Sequence, residues 1–78
     1  MKLEILTPEE KLFTGEVYSV QVPGSNGRFQ MLNKHAPIVS SLKKGTIKII
    51  DDKKKELLIE VNNGIIEMKN NKIIILAE

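Results

Sequence analysis

The 78-residue chain has no cysteine. That excludes a disulfide framework, a thiolate metal site and a cysteine nucleophile. It has one histidine, His35, so no histidine cluster is available to hold a metal. Its aromatic residues are Phe13, Tyr18 and Phe29. Single-strand nucleic-acid binders line a basic groove with stacking rings, and three scattered rings offer little of that. No apolar run approaches the roughly 20 residues of a membrane span. The start, Met1-Lys2-Leu3-Glu4-Ile5, lacks the apolar stretch of a signal peptide. Linkers, low-complexity segments and repeats are missing too, so the expectation is a single domain over residues 1–78. Excess charge is also small. Twelve basic and ten acidic residues leave a net +2. The surplus gathers in Lys43-Lys44 and Lys53-Lys54-Lys55, beside predicted turns, where lysines are ordinarily solvated.

What is present is a succession of short β-type segments. Lys2–Leu6 alternates, with Leu3 and Ile5 on one face. Thr7–Glu10 reads as a turn. Lys11–Val17 is a second strand, and a third carries Tyr18, Val20 and Val22 on one apolar face up to Pro23. Pro23-Gly24-Ser25-Asn26-Gly27 is dense turn chemistry. Arg28–Leu32, Ile38–Leu42, Gly45–Asp51, Glu56–Val61, Ile65–Met68 and Lys72–Leu76 follow as strands, separated by turns. Strands of this length with turns at regular short intervals predict an all-β sandwich or barrel. Ile65-Ile66 and Ile73–Leu76 are apolar at consecutive positions. Only one face of a sandwich strand points inward, so the other set is either covered by a loop or left as an interface.

Reactive groups do not converge in the sequence. A Ser–His couple would need His35 with Ser25, Ser40 or Ser41, and no third group or nucleophile elbow accompanies them. Glu9-Glu10 and Asp51-Asp52 are adjacent pairs, and neighbours on a strand point to opposite faces. Pro-Gly-Ser-Asn-Gly has the composition of a phosphate loop without its Lys-Ser/Thr ending or its helix. No cofactor or metal site is expected.

Taken in order, the segments resemble the N-terminal domain of the epsilon subunit of the bacterial and chloroplast rotary ATP synthase. Leu3–Glu9 is similar to the family's opening strand and turn, and Leu12–Val17 to its second strand. Val22–Gly27 and His35–Val39 resemble its central signature, a Gly-Ser-x-Gly turn followed by His-Ala-Pro and two aliphatics. Gly64–Glu67 and Ile75–Glu78 resemble its closing hairpin. The resemblance implies a two-layer antiparallel β-sandwich of about ten short strands. It also implies a non-catalytic rotor subunit that links the gamma subunit to the ring of c subunits and couples ion flow to ATP synthesis. Such a protein lies on the cytoplasmic face of the bacterial inner membrane, attached through the complex. By the same resemblance Ser25, Asn26 and Arg28 face the c ring. His35 and Ser40 lie near the gamma–ring junction, and Thr7, Leu12 and Phe13 face gamma.

Three departures from the family pattern stand out. Arg28 occupies a position that is often acidic. Asn33-Lys34 replaces Pro-Gly, and Asn33, as a residue tolerant of left-handed backbone, is expected to keep the turn. The chain ends at Glu78, where many members continue into a C-terminal helical hairpin; a natural short form, which the family contains, is the expectation because Met1 opens the family pattern, with a truncated piece of a longer chain as the alternative. Two other classes stay open on the residues alone. One is a small nucleic-acid-binding β-barrel using the lysine clusters. The other is a hydrolase built on Ser40 and His35.

Overall fold

The computed structural model describes residues 1–78. Eight strands follow one another: β1 (Lys2–Leu6), β2 (Lys11–Gly24), β3 (Gly27–Leu32), β4 (Ile38–Leu42), β5 (Gly45–Asp51), β6 (Glu56–Val61), β7 (Gly64–Lys69) and β8 (Lys72–Ala77). The expected count of about ten falls to eight, mainly because two segments read as separate strands are one. β2 runs unbroken for 14 residues. A register shift between Val17 and Ser19, where β2 meets β5, explains why the sequence looked divided. Before the shift the inward positions are odd: Phe13, Gly15 and Val17. After it they are even: Val20 and Val22. One extra residue in a strand flips the alternation in this way and bends the strand. The same bulge overturns the expected grouping of Tyr18 with Val20 and Val22. Tyr18 is 57% exposed, while both valines are fully buried.

β2 belongs to both layers. Its first half pairs with β1, which continues to β8, β7 and β4. Its second half lies between β3 and β5, and β5 carries β6 at the outer edge. The circuit β2-β1-β8-β7-β4 closes where Leu42 meets Gly24 of β2. The expected all-antiparallel pairing is corrected at one place, since β1 and β8 run parallel. Parallel neighbours need a long connection, and here that connection is the whole chain between them.

Every strand gives residues to one core of 16, in which Leu3, Ile5, Val20, Val22, Met31, Ile47, Ile66, Ile73 and Ile75 have no exposed surface. Phe13, Phe29, Ile38 and Ile59 pack around it.

Turn chemistry fixes the hairpins. Gly27 has φ +128°, a region closed to side chains. A Cβ at Gly24 would stand 2.6 Å from the Phe29 ring. Asn70 and Asn71 both take left-handed φ, 53° and 60°, in the two-residue turn between β7 and β8, as a type I′ hairpin requires. At the Asn33-Lys34 departure the left-handed residue is Lys34, with φ 63°, and not Asn33. A lysine there is strained by roughly 1–2 kcal/mol. Asn71 offsets the strain by holding both residues. Its Oδ1 accepts from Lys34 N at 2.8 Å, and its Nδ2 donates to Asn33 Oδ1 at 2.8 Å.

Candidate docking face

Strand register aligns side chains into rows on the outside of the β1-β8-β7-β4 layer. Leu6 lies opposite Leu76, Leu76 opposite Ile65, and Ile65 opposite Ser41. Two residues along, the next row is Glu4, Ile74, Glu67 and Val39. The consecutive apolar residues of β7 and β8 resolve cleanly. Ile66, Ile73 and Ile75 point inward and are buried. Ile65 and Leu76 point outward and are 53% and 54% exposed, and Val39 is 69% exposed. No loop covers them. At the end of the first row a shallow groove of about 440 Å³ opens between Leu6, Thr7, Pro8, Asn63, Ile65 and Leu76. A contiguous apolar patch on a sheet face, rimmed by charge, marks a protein interface.

The rim is ionic. Glu4 receives Lys72 Nζ at 3.2 Å and Lys11 Nζ at 3.6 Å. The Lys72 hydrogen bond, with the charges of Lys72, Lys11 and Lys2, lowers the Glu4 carboxyl below its ordinary value, against a smaller opposing effect of burial. Because the folded value is the depressed one, the pair's contribution is present above the ordinary carboxylate pKa. It is lost as pH falls through the folded value. Glu4→Gln is therefore expected to lower thermal stability slightly at pH 7. The difference from the unaltered chain should shrink below the ordinary glutamate range and vanish in stronger acid. Melting curves across that range would check it; a constant offset at every pH would contradict it.

The residues singled out in the sequence fall at several places. Ser25 caps the outward row. Its N donates to Ser41 O at 3.0 Å, and the two hydroxyls are 2.7 Å apart. Asn26 is exposed at the turn tip. Arg28 is exposed on the second layer, where its Nε donates to Gln21 Oε1 at 2.9 Å. Thr7 closes its turn, its Oγ1 donating to Glu10 O and accepting from Glu10 N, both at 3.1 Å. Leu12 is 37% exposed. Phe13 packs against the core instead, in a hollow with Ile49 and Leu57. His35 lies beyond the other end of β3 from the Ser25 turn. Its Nδ1 donates to Ala36 O at 2.7 Å. Ser40, half-buried on β4, donates to Ser41 O at 3.1 Å. The structure thus joins Ser25 to Ser41 and sets Thr7 in the groove, but does not bring His35 to any serine. The Ser–His couple is not formed.

The lysine clusters occupy two separate turns, between β4 and β5 and between β5 and β6. Phe13 and Phe29 are packed against the core, which leaves Tyr18 as the one well-exposed ring. No stacking surface accompanies either cluster. Sequence reasoning missed Leu6 and Val39. For Leu6 a signal existed, since it falls out of phase with Leu3 and Ile5 and so must point outward.

Comparison with known proteins agrees with this geometry. The family described as "ATP synthase, Delta/Epsilon chain, beta-sandwich domain" matches residues 1–78. The ATP synthase epsilon chain of Chlorobium limicola is 40% identical over 77 residues, covering 99% of this chain and 88% of that one. That of Campylobacter concisus is 41% identical over 78 residues, covering the whole of this chain and 60% of that one. Among solved structures, a chain of the Euglena gracilis mitochondrial ATP synthase superposes with a TM-score of 0.90 over 96% of this chain and 48% of its own, at 17% identity. A chain of the Tetrahymena thermophila mitochondrial ATP synthase central stalk and c ring gives 0.81 over 97% of this chain and 61% of its own, at 15% identity. Those two likenesses speak for the fold. The family match and the bacterial relatives go further: this chain belongs to the ATP synthase delta/epsilon family, matched across that family's β-sandwich domain.

Proposed function

We propose that this chain is a non-catalytic rotor subunit of a rotary ATP synthase, a single domain over residues 1–78 that joins gamma to the c ring. The observation that carries the proposal is the uncovered apolar row Leu6-Leu76-Ile65 on a chain of this family. An apolar sheet face with a polar rim suits a lasting protein partner, and gamma is the occupant proposed for it. Thr7 in the groove and Leu12 at the start of β2 extend the gamma-facing set, with Phe13 buttressing β2 from inside. Ser25, Asn26 and Arg28 are the proposed ring contacts, where polar turn tips meet polar loops. His35 and Ser40 are assigned to the junction between the two partners. The complex holds the protein at the cytoplasmic face of the bacterial inner membrane. The c ring is named in the Tetrahymena structure, and relatives carry the epsilon-chain name, which supports this assignment.

Gel filtration of the chain with gamma from the same organism tests it. A one-to-one complex at micromolar concentration is expected, and separate elution would overturn the proposal. Membranes depleted of this chain should lose ATP synthesis driven by the ion gradient and regain it on its return.

A further inference from the structure

Within the face assigned above to gamma, we infer that Glu67 is the charged specificity contact, and that gamma meets it with a lysine or arginine. The inference rests on that assignment. Glu67 stands in the second outward row, with Ile74 on one side and Val39 on the other. It is exposed and takes part in no ion pair within the chain.

The other carboxylate of that row behaves differently. Glu4 is neutralised by two lysines of its own chain. One of them, Lys72, lies diagonally across from Glu67 in the strand register and is drawn away by Glu4. Lys69 projects from β7 on the same side as Glu67, two residues on, without reaching it. The cross-strand neighbours are apolar. So the fold supplies cations along this face, and Glu67 shares a shallow hollow with Lys69, Asn70, Lys72 and Ile74, yet neither lysine forms an ion pair with it.

In the free chain water solvates that carboxylate. Once a partner covers Val39, Ile65, Ile74 and Leu76, the water is removed. An unpaired buried carboxylate is strongly unfavourable. A partner that packs tightly here gains affinity by supplying a cation; without one, Glu67 is left to draw Lys69 in from its own strand. That difference selects among apolar surfaces that would otherwise fit equally well. Attraction across the rim also speeds encounter and makes it salt-dependent.

The test uses the full chain and gamma from the same organism, by calorimetric titration at several salt concentrations. Glu67→Gln keeps shape and removes charge, and it should weaken binding on the order of 30-fold or more and flatten the salt dependence. Glu67→Lys should weaken it further. Ile65→Glu reports on the face itself. If Ile65→Glu disrupts binding while Glu67→Gln leaves affinity and salt dependence unchanged, the inference fails and the face assignment stands. If Ile65→Glu has no effect, the face assignment fails and the inference falls with it. Melting curves of each variant show that the fold is retained, since Glu67 makes no internal ion pair.

Discussion

Ile65→Glu should cut affinity for gamma by about 100-fold or more while leaving the sandwich folded. Ile65 lies near the middle of the exposed row, opposite Leu76 on one side and Ser41 on the other. Central, well-packed apolar residues carry most of an interface's energy, and losing one costs about 2 kcal/mol or more. Glutamate adds the cost of burying a charge without a partner. It also sets a second carboxylate on the same side of β7, two residues from Glu67. The free protein should tolerate the change, because a half-exposed cross-strand pair is worth no more than about 1 kcal/mol. Titration against gamma, beside circular dichroism of the variant alone, separates the two effects. Unchanged affinity would place gamma on another face.

The adjacent residue should respond in the opposite way. Ile66→Ala is expected to destabilise the fold by about 2–5 kcal/mol and to leave gamma affinity per folded molecule nearly unchanged. Ile66 is fully buried, set between Ser40 of β4 and Ile75 of β8. Removing its side-chain carbons leaves a void among strands that are hydrogen-bonded on both sides and close around it poorly. A domain of this size has only about 4–12 kcal/mol in total, so much of its stability rests on this one position. Urea unfolding of the two proteins gives the difference directly. A loss under 1 kcal/mol would mean that the core relaxes around the gap.

These two neighbours also illustrate what the sequence makes legible. An Ile-Ile step in a strand says that one side chain is in and one is out, without saying which is covered. Register supplied the answer. Most strands and turns were readable, because alternation and Asn-Gly chemistry are local. Two things were not. The bulge in β2 breaks alternation by a single residue, and only pairing with β5 reveals it, so alternation alone puts Tyr18 on the wrong face. The hold of Asn71 on Asn33 and Lys34 joins residues 38 and 37 positions apart in the chain, and no local pattern records such a partner. The docking face was half legible. Its β7 and β8 residues stood out as surplus aliphatics. Leu6 and Val39 join them only because β1 and β4 flank that pair. The central turn and His35, the most conspicuous part of the sequence, proved to be separate ends of a hairpin.

The continuity of β2 has a mechanical consequence. Two sheets held only by interdigitated side chains yield to shear, because such contacts re-form after a small slip. Here one strand is bonded into both sheets, and the closure at Gly24 and Leu42 ties the far side as well. Sliding one layer across the other would have to tear peptide hydrogen bonds in sequence along a single backbone. A part placed between a turning ring and a shaft is loaded in torsion. Such a part passes the twist on as displacement of its neighbours, with little of it absorbed as its own deformation.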